Sequence, residues 1–141
     1  MKNRLWLLSM ALVVVLGLLI VLPASANCEP PPCGGCTPGY WKQPHHFDSW
    51  EATSFAADTT LSDAFGCELP DKTLLEALKA KGGHEKAYMR HAVAALLNSA
   101  HPAMTYGSLE GVKSNICTNW GQEWYKNELE YWNEHLPCLL D

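Results

Sequence analysis

His84-Glu85-Lys86-Ala87-Tyr88-Met89-Arg90-His91-Ala92-Val93-Ala94-Ala95-Leu96-Leu97-Asn98-Ser99 is the stretch whose reading decides the fold. Tyr88, Ala92, Ala95 and Leu96 fall on one stripe at helical spacing, while Val93 and Leu97 carry apolar character round the back. A helix that is apolar over most of its circumference is one that other elements surround, so this spacing predicts a central helix. His101-Pro102 ends it, because proline cannot continue the hydrogen-bond ladder.

On either side the same period recurs in shorter pieces. Asp71 to Lys81 places Leu74, Leu75 and Leu78 at helical spacing, with Glu76 three residues after Thr73 and Gly82-Gly83 as a stop. Asp58 to Gly66 predicts one short turn with Leu61 and Phe65 on a common face. Thr37-Pro38 reads as a cap and first helical position, opening an aromatic stretch of Tyr40, Trp41, Phe47 and Trp50. Downstream, Ser108 caps a helix running to about Asn119, and Gly121 breaks the chain. Gln122 to His135 is the last helix, with Tyr125, Leu129, Trp132 and Leu136 stepping by four, three and four. No segment alternates as a half-buried strand would. The expected fold is all-α, a small disulfide-stabilised bundle of about four to five helices.

Ahead of this domain lie Lys2 and Arg4, an apolar run from Leu5 to Leu22, then Pro23 and Ala24-Ser25-Ala26. That order of charged, apolar and small residues is the order of a secretory signal peptide, expected to span residues 1–26. The apolar run alone is about long enough to cross a bilayer, but Pro23 and the Ala-x-Ala site favour cleavage. Asn27 directly before Cys28 argues against a lipoprotein. Residues 27–36 form a leader rich in proline, glycine and cysteine, and residues 37–141 form the helical domain. Removing 26 of the 141 residues leaves 115, in which 15 acids stand against eight bases, a formal charge of −7. No basic stripe remains for nucleic acid, an anionic membrane would repel such a surface, and no second apolar stretch supports membrane insertion. All six cysteines fall after the signal, an even count that reads as three disulfides in an extracellular or periplasmic protein.

Cys36-Thr37-Pro38-Gly39-Tyr40-Trp41-Lys42, with Trp50 following, resembles a family of secreted and cell-surface domains marked by a Cys-Thr-Pro-Gly-Tyr/Phe-Trp-Lys signature. The resemblance continues through Thr59-Thr60-Leu61, Ala64-Phe65-Gly66 and Thr73-Leu74-Leu75-Glu76-Ala77-Leu78. It returns at Ala92 to Pro102 and at Leu136-Pro137-Cys138-Leu139, so it covers about residues 36–141. It implies architecture and location and no particular chemistry. It also implies a disulfide between Cys36 and Cys138, the pair shared with the family, which leaves Cys67–Cys117 and Cys28–Cys33 for the other four cysteines. The chain departs from the family at Gln43-Pro44-His45-His46, where Asn-His usually follows the lysine.

Several motifs have both a chemical and a plain reading. Cys33-Gly34-Gly35-Cys36 has the spacing of a redox dithiol, but no βαβ context accompanies it, so structural disulfides are the simpler reading. His45, His46, His84, His91 and His101 are the candidate metal ligands, to be assembled across helices if at all. His84-Glu85 lacks the second histidine of a zinc-protease motif, since position 88 is Tyr88. His101 reads as a helix-end residue that favours the helix dipole. Glu123, Glu130 and Glu134 read as a solvated face of the last helix. Trp41 reads as core. Trp124 and Tyr131, two turns apart and flanking the apolar stripe, are the candidate exposed rings, and Tyr40 and Lys42 of the signature complete a candidate binding surface.

The resulting expectation is a secreted, non-enzymatic module for binding or assembly at the cell surface, with a cell-surface protein or glycan as partner and no cofactor. The alternative is a small secreted metal-binding or redox protein using histidine and cysteine. The mature chain is expected to begin at Asn27 without lipid. Intact mass after native export checks this, and an acylated Cys28 or an uncleaved chain would refute it.

Overall fold

A computed structural model describes residues 33–140, and its helices begin where short polar side chains cap them. Thr37 accepts the Tyr40 N–H at 3.1 Å and opens α1, Pro38–Trp41. Pro44 then interrupts the aromatic stretch: it has no N–H to donate and pushes Gln43 into extended geometry. The chain makes a 3₁₀ turn at Pro44–His46 and one further turn of helix, α2, at Asp48–Glu51. Thr60 caps α3, Leu61–Phe65, which Gly66 ends in the left-handed conformation at φ 79°. Thr73 and Glu76 form a reciprocal capping box on α4, Leu74–Lys79. α5 runs Glu85–Ala100, α6 runs Leu109–Thr118 behind the Ser108 cap, and α7 runs Glu123–His135.

The described residues are thus all-helical, with seven α-helices rather than four to five. The surplus comes from the short elements: the aromatic stretch read as one helical segment divides into α1 and α2, and the short turn expected at Asp58 to Gly66 is a helix of its own, α3. α4 also stops at Lys79, before the expected glycine stop. The reason is tertiary: Arg90 of α5 reaches back and donates to the carbonyls of Ala80 at 2.7 Å and Gly82 at 2.9 Å, holding that segment out of the helix. Among the described residues, the sole pairing of strand type is a bridge between the two caps Thr60 and Thr73, where Leu61 N–H meets Lys72 O and Leu74 N–H meets Thr59 O, each at 2.9 Å.

α5 is central and packs against α1, α4, α6 and α7. Tyr88, Ala92, Val93, Ala95, Leu96 and Leu97 are buried on it, as the spacing predicts. Trp41 is fully buried beside its end, and the Trp50 indole donates to the Trp41 carbonyl at 3.0 Å. α7 contributes Tyr125, Leu129 and Asn133, with Trp132 and Leu136 half-buried against the same core.

One polar side chain joins these layers. Asn98, fully buried on α5, accepts from the Cys36 N–H at 2.9 Å and from the Trp41 indole at 3.0 Å. Its amide donates to the Cys36 carbonyl at 2.9 Å and to Asn133 Oδ1 at 3.1 Å. Asn133 passes the link on by donating to the His91 carbonyl at 2.9 Å.

Two disulfides lie among the described residues. Cys36–Cys138 joins the start of the domain to its end across 102 residues, and Cys67–Cys117 joins the loop after α3 to the end of α6 across 50. In the chain-entropy account each closure is worth about 4–5 kcal/mol. The expected Cys28–Cys33 pairing and the signal peptide lie outside the described residues. Gly34 and Gly35, assigned to the leader from sequence, are buried, and Gly35 donates to the Pro137 carbonyl at 3.0 Å, so the leader's end is part of the core.

Trp41→Ala is expected to cost about 3–5 kcal/mol, as large-to-small core changes do. Asn98→Ala is expected to cost a comparable amount, because it strips partners from buried groups of Cys36, Trp41 and Asn133 at about 1–3 kcal/mol each. Denaturant unfolding with the disulfides intact measures both. A variant with the parent's midpoint would remove that residue from the framework.

Candidate functional site

The last residue of the signature helps build a groove. Trp41 is pinned between Asn98 and Trp50, so Lys42 leaves the buried cluster at the end of α1 and is exposed. Opposite it, the end of α4 carries Lys79, and the segment that Arg90 holds carries Lys81. Lys42, Lys79, Lys81 and Arg90 line an open cavity of about 650 Å³ floored in part by Pro44 and Leu78. No acidic side chain among the described residues lines it. Half of the eight bases that follow residue 26 therefore gather at one place on a chain of net negative charge. Sequence reading missed this cluster: its members lie on α1, α4, a loop and α5, and no spacing connects them.

Tyr40, offered from sequence as a surface residue, is only 8% exposed. Its ring stacks on His46 at 3.8 Å and meets Trp41 edge-on, while its hydroxyl bonds Ser49 at 2.9 Å. It presents little surface of its own. Trp124 and Tyr131 are 58% and 53% exposed on α7. Seven residues apart, they share one face of that helix, separated by about 10 Å along its axis. Tyr131 stacks on His135 at 4.4 Å.

The histidines are scattered. His45 and His46 sit side by side in the 3₁₀ turn, rings 4.2 Å apart, and His84 is exposed just before α5 at φ 50°. His101 is buried at the end of α5, where its Nδ1 accepts the Ala103 N–H at 3.2 Å and burial lowers its pKa. It stands at the end of the helix as expected, and its Nδ1 serves there as an acceptor for the following loop. His91 is 5% exposed and faces α7. Burial is the main reason its pKa drops to about 4, with Glu130 pulling it up and Arg90 and Lys126 pushing it down. One nitrogen of His91 and one carboxylate oxygen each from Glu130 and Glu134 lie within 4.8 Å of one another, so the two carboxylates read as a solvated face flank a buried imidazole. Lys126 donates to Glu130 at 2.6 Å and holds that carboxyl below its usual range.

Cys33 and Cys36 are not bonded to each other, since Cys36 pairs with Cys138. The two glycines between them are explained by packing. A Cβ on Gly34 would strike the Leu139 side chain, and one on Gly35 would lie 3.1 Å from the Tyr106 ring.

No helix of the described residues is long and apolar enough to cross a membrane. Compared with protein-family models, curated proteins and solved structures, the chain matches none.

The His101 environment has a consequence for pH. Its folded pKa lies below the ordinary 6.5, so the unfolded chain takes up the proton first and stability falls as pH drops below about 6.5. His101→Asn, whose amide oxygen can still accept the Ala103 N–H, is expected to lose less stability than the parent between pH 7.5 and pH 5.5. Denaturant midpoints at the two pH values measure this, and His91, lowered in both proteins, cancels from the difference. Equal losses would show that folding does not lower the His101 pKa.

Proposed function

We propose that this chain is a secreted, non-enzymatic module that binds an acidic glycan at the cell surface through the groove of Lys42, Lys79, Lys81 and Arg90. The observation that carries the reading is the gathering of four cations, with no acid among the described lining residues, on a protein whose overall charge is negative. A concave site lined by one sign of charge focuses its field and draws in a ligand of the other sign even when the whole molecule does not. Arg90 keeps its full charge while its guanidinium bonds backbone carbonyls, so it anchors the groove's floor and sustains the potential at once. Extracellular location is supported by the signal-like N-terminus, by the two disulfides, and by the resemblance of Cys36–Lys42 to the surface-domain signature.

An acidic polysaccharide such as alginate is expected to bind the mature, oxidised protein, more weakly as salt rises, while neutral dextran does not bind. The double charge reversal Lys79→Glu with Lys81→Glu, both exposed, is expected to lower the affinity at least about tenfold with unchanged thermal unfolding. Titration calorimetry at two ionic strengths measures it. Undiminished binding in that variant, or loss only on replacing Trp124 and Tyr131 by alanine, would move the site to the aromatic face of α7.

A further inference from the structure

We propose that His91, Glu130 and Glu134 form a binding site for a divalent first-row transition-metal cation, with zinc as the type. The site is independent of the groove and sits where the central helix meets the last one. Asn133 fixes it: by donating to the His91 carbonyl at 2.9 Å, it sets the register of α7 against α5 at the level of His91. Glu130 and Glu134, on neighbouring turns of α7, are thereby placed against one imidazole.

The donor set has the chemistry of such a cation. One imidazole nitrogen and two carboxylate oxygens suit zinc, manganese or cobalt, whereas magnesium and calcium take oxygen alone. Three protein donors leave a position for water, as in open zinc sites. The imidazole has unused capacity: Nδ1 of His91 is buried and has no hydrogen-bond partner among the described residues. Tetrahedral bonds of about 2.0–2.2 Å draw donors closer together than the 4.8 Å that bounds them here. The exposed Glu134 side chain closes that span by rotation.

Lys126 makes the proposal sharp. Its ammonium lies 2.6 Å from Glu130 and 3.4 Å from Glu123, on the carboxylate the metal would use. It therefore competes with the cation, and removing its charge should tighten binding, an effect that a loose surface site elsewhere would not show.

The test uses the mature protein with its disulfides intact, stripped with chelator and titrated with zinc or cobalt while heat release, visible cobalt absorption and Tm are followed. One ion per chain is expected, with a raised Tm, and with magnesium and calcium inert at the same concentration. Glu134→Gln is expected to weaken binding at least about tenfold while leaving the metal-free Tm near the parent value. Lys126→Gln is expected to tighten binding about threefold or more. His91 is buried, so its variants risk misfolding, and Glu130→Gln serves as the second ligand arm. The proposal is overturned if Glu134→Gln and Glu130→Gln bind as the parent does, if Lys126→Gln binds more weakly, or if replacing His45 and His46 by alanine abolishes the signal.

Discussion

The Asn98 side chain is the interaction on which the rest of this structure depends. A carboxamide has two acceptor sites and two donor hydrogens, and all four are used: Cys36 N–H and the Trp41 indole on the oxygen, Cys36 carbonyl and Asn133 on the nitrogen. Both backbone groups of Cys36 are met by this one side chain, which stands in for a neighbouring strand. A fully satisfied polar network in a dry interior specifies geometry strongly, because each alternative packing leaves a buried group without a partner. The covalent bond from Cys36 to Cys138 acts at the same point, so the start of the domain is fixed to the central helix and to the chain's end together.

Both candidate sites follow from that anchor. Holding Trp41 under α5 turns Lys42 outward toward the end of α4, and Arg90, two turns before Asn98 on the same helix, holds the Ala80–Gly82 segment that completes the groove. The other arm of the network runs through Asn133 to the His91 carbonyl and fixes which turn of α7 faces the imidazole. Glu130 and Glu134 are therefore placed by a side chain whose hydrogen bonds go to Asn98 and to the His91 carbonyl, not to either carboxylate. A slip of α7 by one turn would separate them from His91 and break the Asn98–Asn133 bond in the same movement.

The helices of highest apolar period were legible because burial of one face is a local property of sequence. The α5 stripe, the Thr73–Glu76 capping box and the Ser108 cap are all written in adjacent residues. The end of α4 was not, because Arg90 decides it from eight to ten positions downstream. Asn98 and Asn133 were invisible as a pair, since a polar residue on an apolar helix declares no partner 35 positions away. Trp124 and Tyr131 were legible as exposed rings because they flank the core stripe on the same helix. Tyr40 was not legible as buried, because its cover comes from His46 and Ser49 through the irregular turn at Pro44. The cationic groove and the His91 cluster lay beyond sequence for one reason: each gathers residues from separate helices.

Short helices explain why such anchors are needed. Turns of four to six residues do not persist alone, since nucleation costs more than so few hydrogen bonds return. In this chain α1, α2, α3 and α4 are all of that length, and three of them begin at a threonine cap. Their caps satisfy backbone donors but do not set their positions in space. Position comes from the Thr60–Thr73 bridge, which ties α3 to α4, from Cys67–Cys117, which ties the loop after α3 to α6, and from Asn98, which ties α1 to α5. Gly34 and Gly35 belong to the same arrangement, because without side chains there Leu139 and Tyr106 pack closely beside the Cys36 junction. The glycines that resemble the interior of a redox motif thus have a packing reason where the domain's first residues meet its last helix and the segment after it.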